Sequence, residues 1–246
     1  VSKHFDSIEH KSQHREFVTH TGYIGKKRIS VVSTGIGPDN IDIVMNELDA
    51  LVNIDFQTRL EKSVKRSLNL IRIGTSGSIQ SHIPVDSILI STAAIGFDNL
   101  AQFYGFESTM SIAEDVLAAW TSAIDYPLPL YAAKASASLC AQFAPLNAYN
   151  GVTLTAPGFY APQGRTIRMH SIRPDFLEKV AAAKLGDEEI TNIEMETAAY
   201  YAFSGAMGHE MISLNAILAN RITNEFSKDP EGQIRSLIKK AIALIA

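Results

Sequence analysis

Cysteine is almost absent from the 246 residues; Cys140 is the only one. A single thiol excludes an intrachain disulfide and thiolate metal clusters, and it suits a reducing compartment. Long apolar runs are missing too. No stretch approaches the roughly 20 residues a membrane-spanning helix needs, so no membrane partner is expected. An excess of positive charge is also lacking. The formal net charge is -4, which removes the electrostatic footprint expected of a nucleic-acid or anionic-membrane binder. There are no internal repeats, low-complexity tracts or linkers. His4, His10, His14 and His20 stand close together without metal-ligand spacing, and no metal is expected of them. The chain begins at Val1 rather than methionine, so its natural start is expected upstream, and the cytoplasm is the default compartment.

What remains is an ordinary globular composition, 46% hydrophobic and 20% charged, sufficient for a sizeable core. One domain is expected over residues 1–246. Residues 1–16 are polar, and Phe17–Tyr23 and Arg28–Ser33 read as strands around a Gly25-Lys26-Lys27 turn. Glycines and Pro38 in Thr34–Asn40 then lead into a helix face of Ile41, Val44, Met45, Leu48, Leu51 and Val52. In such a strand-glycine-helix unit, ligands approach the C-terminal ends of strands. A dinucleotide fingerprint is not present, because the third glycine and a suitably placed acidic residue are missing; a Walker phosphate loop is absent as well.

Further along, Leu68–Ile73 reads as an apolar strand with Arg72 inside it, followed by Gly74-Thr75-Ser76-Gly77-Ser78 as a turn. An arginine in a buried strand costs desolvation unless an anion or carboxylate meets it. Beside a turn of free N–H groups it reads as a phosphate or oxyanion site, with a structural ion pair as the alternative. Strands are expected at Val85–Ala94, Gly151–Thr155 and His209–Ala219, and helices at Ile112–Ile124, 174–185 and Gln233–Leu244. Residues 95–112 and 156–165 read as aromatic loops, while Tyr131–Phe143 is ambiguous between helix and strand. In Thr191–Tyr200, TNIEMETAAY, a strand runs into a helix. A carboxylate at such a junction can stay ionised and accept hydroxyl hydrogen bonds; a simply capped helix start is the alternative.

Taken together, several stretches resemble the nucleoside phosphorylase superfamily of the uridine phosphorylase type. They are His14-Arg15-Glu16-Phe17, Ser33-Thr34-Gly35-Ile36-Gly37, Ile71–Gly77 and Asn192-Ile193-Glu194-Met195-Glu196, with Phe159-Tyr160-x-x-Gln163-x-Arg165 and Asn220-Arg221 pointing to the uridine branch. They occur in family order across residues 14 to about 225. The resemblance implies an α/β single domain with a central mixed, partly barrel-like sheet flanked by helices. It implies reversible phosphorolysis of uridine, with deoxyuridine and thymidine within range. Inorganic phosphate is the co-substrate, and no organic cofactor is needed. By the same resemblance, Arg15, Arg72 and Thr75 bind phosphate, Arg15 being donated by a neighbouring subunit. Thr75, Met195 and Glu196 bind ribose, and Phe159, Gln163, Arg165 and Arg221 bind the base. Arg221, Glu196 and Arg72 are then the catalytic residues. Homodimers, or a trimer of dimers, with shared sites follow.

The departures are specific. The family's first strand and its glycine-aspartate-proline-x-arginine phosphate loop would precede Val1. Gly164 stands where the uridine enzymes more often carry an acid. In some bacterial members a monovalent cation sits between subunits near the positions of Glu16, Ile36 and Asn40, but Asn40 replaces a serine. The competing readings are a purine nucleoside phosphorylase, a hydrolytic nucleosidase and a non-catalytic nucleoside-binding relative.

Overall fold

A computed structural model describes residues 1–106 and 112–245. Three antiparallel strands come first, β1 (Ser7–His14), β2 (Phe17–Ile24) and β3 (Lys27–Val32). Helix α1 (Pro38–Asn53), the short β4 (Ile54–Asp55) and β5 (Leu60–Glu61), and the long β6 (Asn69–Ser78) and β7 (Ile88–Gly96) follow. Next are α2 (Glu114–Ala123), β8 (Tyr131–Lys134), α3 (Ala137–Phe143), β9 (Tyr149–Thr155) and α4 (Phe176–Ala182). The chain finishes with β10 (Lys184–Leu185), β11 (Glu188–Glu194), α5 (Thr197–Met207), β12 (Glu210–Asn220), β13 (Glu225–Phe226) and α6 (Pro230–Ile245).

Five of these strands close on themselves. β12 runs parallel to β6, β6 antiparallel to β11, β11 parallel to β9, β9 parallel to β7, and β7 returns antiparallel to β12. The result is a mixed barrel-like sheet in an α/β domain, and closure leaves those five strands no bare edge between them. Helices cover its outside. The first eight residues of α5, Thr197–Ser204, are all buried, which explains why that segment is alanine-rich and apolar all round rather than amphipathic. Helix α6 presents Leu237 and Ala241 to β12 residues Ile212, Leu214 and Ala216. On another side, α2 and α4 bring Trp120, Phe176 and Val180 onto Ile95, Leu154 and Ile190. Each large side chain buried this way contributes about 1.5–3 kcal/mol. No helix among the described residues is long and apolar enough to cross a membrane.

Four expectations change. The polar residues 7–14 form a strand, because β2 supplies a paired edge from Ser7↔Tyr23 to His14↔Phe17. Gly74–Ser78 is not a turn but the second half of β6. Partners on both sides, Gly74↔Asn215 on β12 and Gly77↔Ile193 on β11, engage the backbone and override the turn preference of its glycines. The ambiguous Tyr131–Phe143 is both, β8 and then α3. The helix expected over 174–185 stops at Ala182 and hands over to β10. Of the loop expected over 95–112, residues 107–111 lie outside the described residues.

Candidate active site

Strand β11 ends at Glu194 and helix α5 begins at Thr197. The N–H groups at a helix start have no partner within the helix, and the Glu194 carboxylate supplies one. It accepts from Glu196 N at 3.0 Å, Thr197 N at 3.0 Å and Thr197 Oγ1 at 2.9 Å. Thr155 Oγ1 donates to its other oxygen at 2.6 Å and accepts Ala198 N in turn. The capped helix start, one of the two readings of this stretch, is therefore what Glu194 does.

Glu196 faces elsewhere. Its Oε1 accepts the backbone N–H of Gly37 at 2.8 Å, and Gly37 is the residue from which α1 starts, with Pro38 in the first turn. A carboxylate there meets the positive end of the helix dipole. Gly37 has φ 98, in the left-handed range that suits glycine. The other oxygen, Oε2, accepts Arg72 Nη2 at 2.6 Å, and Glu194 Oε2 lies 2.9 Å from the same nitrogen. Arg72 Nη1 donates to Asn215 Oδ1 at 2.9 Å and Ser213 Oγ at 3.2 Å. Both terminal nitrogens of the guanidinium thus have protein partners, so the ion pair forms, and Nε is the nitrogen without a hydrogen-bond partner among the described residues, left to face an anion.

Burial opposes charge on Arg72 and on Glu196. For Arg72 it acts downward, but Glu194 and Glu196 outweigh it and hold the guanidinium above its ordinary value. For Glu196 burial, joined by the like charge of Glu194, pushes the carboxyl above the ordinary carboxylate range despite Arg72 and the Gly37 N–H. Two carboxylates share one cation here, so removing Glu194 relieves Glu196.

A second cluster of cations forms around the loop after β9. Gln163 is buried, and its Oε1 accepts Arg165 Nη1 at 2.5 Å. The same nitrogen donates to the Phe159 carbonyl at 2.7 Å, and the guanidinium carbon lies 4.0 Å from the Phe159 ring centre. Arg221 Nη2 donates to the Gln163 carbonyl at 3.1 Å, while its buried Nη1 has no hydrogen-bond partner among the described residues. Arg221 is anchored by its own N–H on the Ser78 carbonyl, and a Cβ on Gly77 would meet its Cγ at 3.4 Å. Burial lowers the Arg165 pKa to about 10, with the charge of Arg221 adding to the effect, and burial lowers Arg221 as well. Neither arginine has a carboxylate partner among the described residues. Two partly desolvated cations with an unused donor call for an anion or carbonyl oxygens from outside the chain.

Other expected site residues are placed as follows. Thr75 is exposed and Met195 half-buried. Phe159 is exposed, its ring meeting Tyr160 edge-on at 5.3 Å. Arg15 sits exposed, at φ 52, in the two-residue turn between β1 and β2, and no hydrogen bond or ion pair ties it to another described residue. Around the expected cation position, Asn40 Nδ2 donates to the Ile36 carbonyl at 2.8 Å, and the Glu16 carbonyl accepts Ser33 Oγ. Asn40 thus engages the Ile36 carbonyl, one of the oxygens expected around that ion, through its amide donor. Sequence reading missed the Gly37 N–H, Ser213 and Asn215. For the last two, the signal was a hydroxyl and an amide within the apolar run Met211–Ala219.

Similarity to known proteins runs the length of the chain. A uridine phosphorylase of Thermococcus kodakarensis is 28% identical over 246 residues, covering all of this chain and 77% of that protein. One from Haemophilus influenzae is 27% identical over the same span, with 84% of its length covered. Among solved structures, a Trypanosoma brucei nucleoside phosphorylase with uridine phosphorylase activity superposes with a TM-score of 0.85 at 27% identity, over 99% of this chain and 87% of that one. The family model described as Phosphorylase superfamily matches residues 1–246, and with the closed mixed sheet and the cation clusters above, the chain belongs to the phosphorylase superfamily.

Proposed function

We propose that this chain catalyses the reversible phosphorolysis of uridine to uracil and ribose 1-phosphate. The observation that carries the reading is the pair of guanidinium groups of Arg165 and Arg221, meeting at Gln163 with no carboxylate partner among the described residues. A pyrimidine leaving group gathers negative charge on two carbonyl oxygens, which guanidinium and amide donors suit. Phe159 serves as the wall for the ring. The names and activity of the relatives above favour uridine as well.

A phosphate oxygen attacks C1′ of the ribose. The C1′–N bond breaks, its electron pair leaves with the base, and the base takes a proton from water. Arg72 and Thr75 hold the phosphate, with Arg15 reaching in from a neighbouring subunit of a homodimer or trimer of dimers. Glu196 and the Met195 backbone hold the ribose. Each Glu196 oxygen keeps a lone pair beside its contact to Gly37 or Arg72, and a sugar hydroxyl can donate to it. Charge under the sugar steadies the cation that builds there, and Arg221 steadies the departing base. Phosphate is the co-substrate and no organic cofactor takes part. Deoxyuridine and thymidine are secondary substrates, and the working compartment is the cytoplasm.

The test is uracil release from uridine, with and without phosphate, beside inosine. Phosphate-dependent release well above the inosine rate is expected. Equal kcat/KM for inosine would point to a purine enzyme, and release without phosphate to a hydrolase. Tight uridine binding without turnover would leave only a nucleoside-binding protein.

A further inference from the structure

The interior of the barrel carries a chain of polar side chains that the reaction as drawn does not use. Each of the five strands contributes one, Asn215 on β12, Ser91 on β7, Thr153 on β9, Asn192 on β11 and Ser76 on β6. Asn215 Nδ2 donates to Ser91 Oγ at 3.0 Å, and Ser91 Oγ and Thr153 Oγ1 are 2.5 Å apart. Thr153 Oγ1 donates to Asn192 Oδ1 at 2.8 Å, and Asn192 Nδ2 to Ser76 Oγ at 2.9 Å. One end is Arg72, through Asn215 Oδ1; the other is Ser76, the residue after Thr75.

A buried amide in an apolar strand costs free energy unless its polar atoms are satisfied, and an apolar side chain would fill the space without that cost. Asn215 is fully buried, and both of its polar atoms are engaged. The carboxylates grip only Nη2 of Arg72, so on their own they leave the guanidinium free to turn about that edge. Asn215 Oδ1, helped by Ser213 Oγ, grips Nη1. Two gripped edges fix the plane of the group, as a rigid fork requires.

We infer that Asn215 is a positioning residue, which is held by the polar chain inside the barrel and fixes the Arg72 guanidinium for phosphate. This rests on the reading of Arg72 as a phosphate ligand. The experiment measures KM separately for phosphate and uridine in Asn215→Ala, Asn215→Asp and Arg72→Ala. Loss of one charged hydrogen bond predicts a rise of about tenfold in phosphate KM for Asn215→Ala, with uridine KM within about twofold. Asn215→Asp, which restores an oxygen facing Nη1, is expected to recover most of the loss. Parental phosphate KM in Asn215→Ala, or both KM values rising together, would overturn the inference. If Arg72→Ala raises phosphate KM while Asn215→Ala does not, only the positioning role fails. If Arg72→Ala itself leaves phosphate KM unchanged, the phosphate reading fails and the inference with it. Should Asn215→Ala not fold, Ser213→Ala removes the weaker grip and is expected to raise phosphate KM by about threefold; an unchanged value there counts against the inference.

Discussion

The two carboxylates beside Met195 give a prediction that separates fold from function. Glu194→Ala removes the acceptor for two backbone N–H groups and two hydroxyls, all buried, and one of the two charges paired with Arg72. Breaking one side of a buried charged network typically costs about 3–5 kcal/mol. At roughly 2–4 °C per kcal/mol for a chain of this size, the melting temperature should fall on the order of 10 °C. Glu196→Ala removes only the Gly37 N–H contact and the second charge on Arg72, which Glu194 still neutralises. Its burial and like-charge penalty disappear as well, so the net loss should stay within about 1.5 kcal/mol, a shift of roughly 5 °C or less. Activity should show the opposite ranking. If Glu196 accepts from the ribose hydroxyls as proposed, its loss should lower kcat/KM by about 30- to 1000-fold, the equivalent of some 2–4 kcal/mol. Calorimetric melts and initial-rate phosphorolysis on both variants decide it. A Glu196→Ala protein that melts far below Glu194→Ala, or that retains parental kcat/KM, would refute the division of roles.

For base choice, Gln163→Ala and Arg165→Ala should each reduce the uridine-over-inosine ratio of kcat/KM by about 10- to 100-fold; an unchanged ratio would remove both from the base site. His209 is buried, accepts the Leu68 N–H on Nδ1 at 3.2 Å, and has its pKa lowered from the ordinary 6.5 by burial despite Asp49. Its contribution to stability is complete above 6.5 and is lost as pH falls through the depressed folded value. Melting curves from pH 8 to about pH 5 should therefore fall more steeply for the parent than for His209→Asn, and parallel curves would exclude the residue. Mixed refolding of Arg15→Ala with Glu196→Ala should restore up to about a quarter of parental activity if Arg15 completes a neighbour's site. No gain over either variant alone would place Arg15 outside that site.

The sequence by itself determined the α/β class, the helix α1 behind its glycine-proline start and the strand-to-helix junction at Glu194–Thr197. These depend on local periodicity and on residues that start helices, which act within a few positions. Only the tertiary structure decided that Gly74–Ser78 is extended and that residues 7–14 are a strand, because both are settled by ladder partners distant in sequence. The same holds for the site. Gly37 N–H meets Glu196 across 159 residues, Asn215 meets Arg72 across 143, and Gln163 meets Arg221 across 58. A buried charge takes its character from whatever the fold places within about 4–6 Å of it. Composition and spacing could name Arg72 as a residue needing a partner, but closure of the five strands selected which carboxylates and amides would be there.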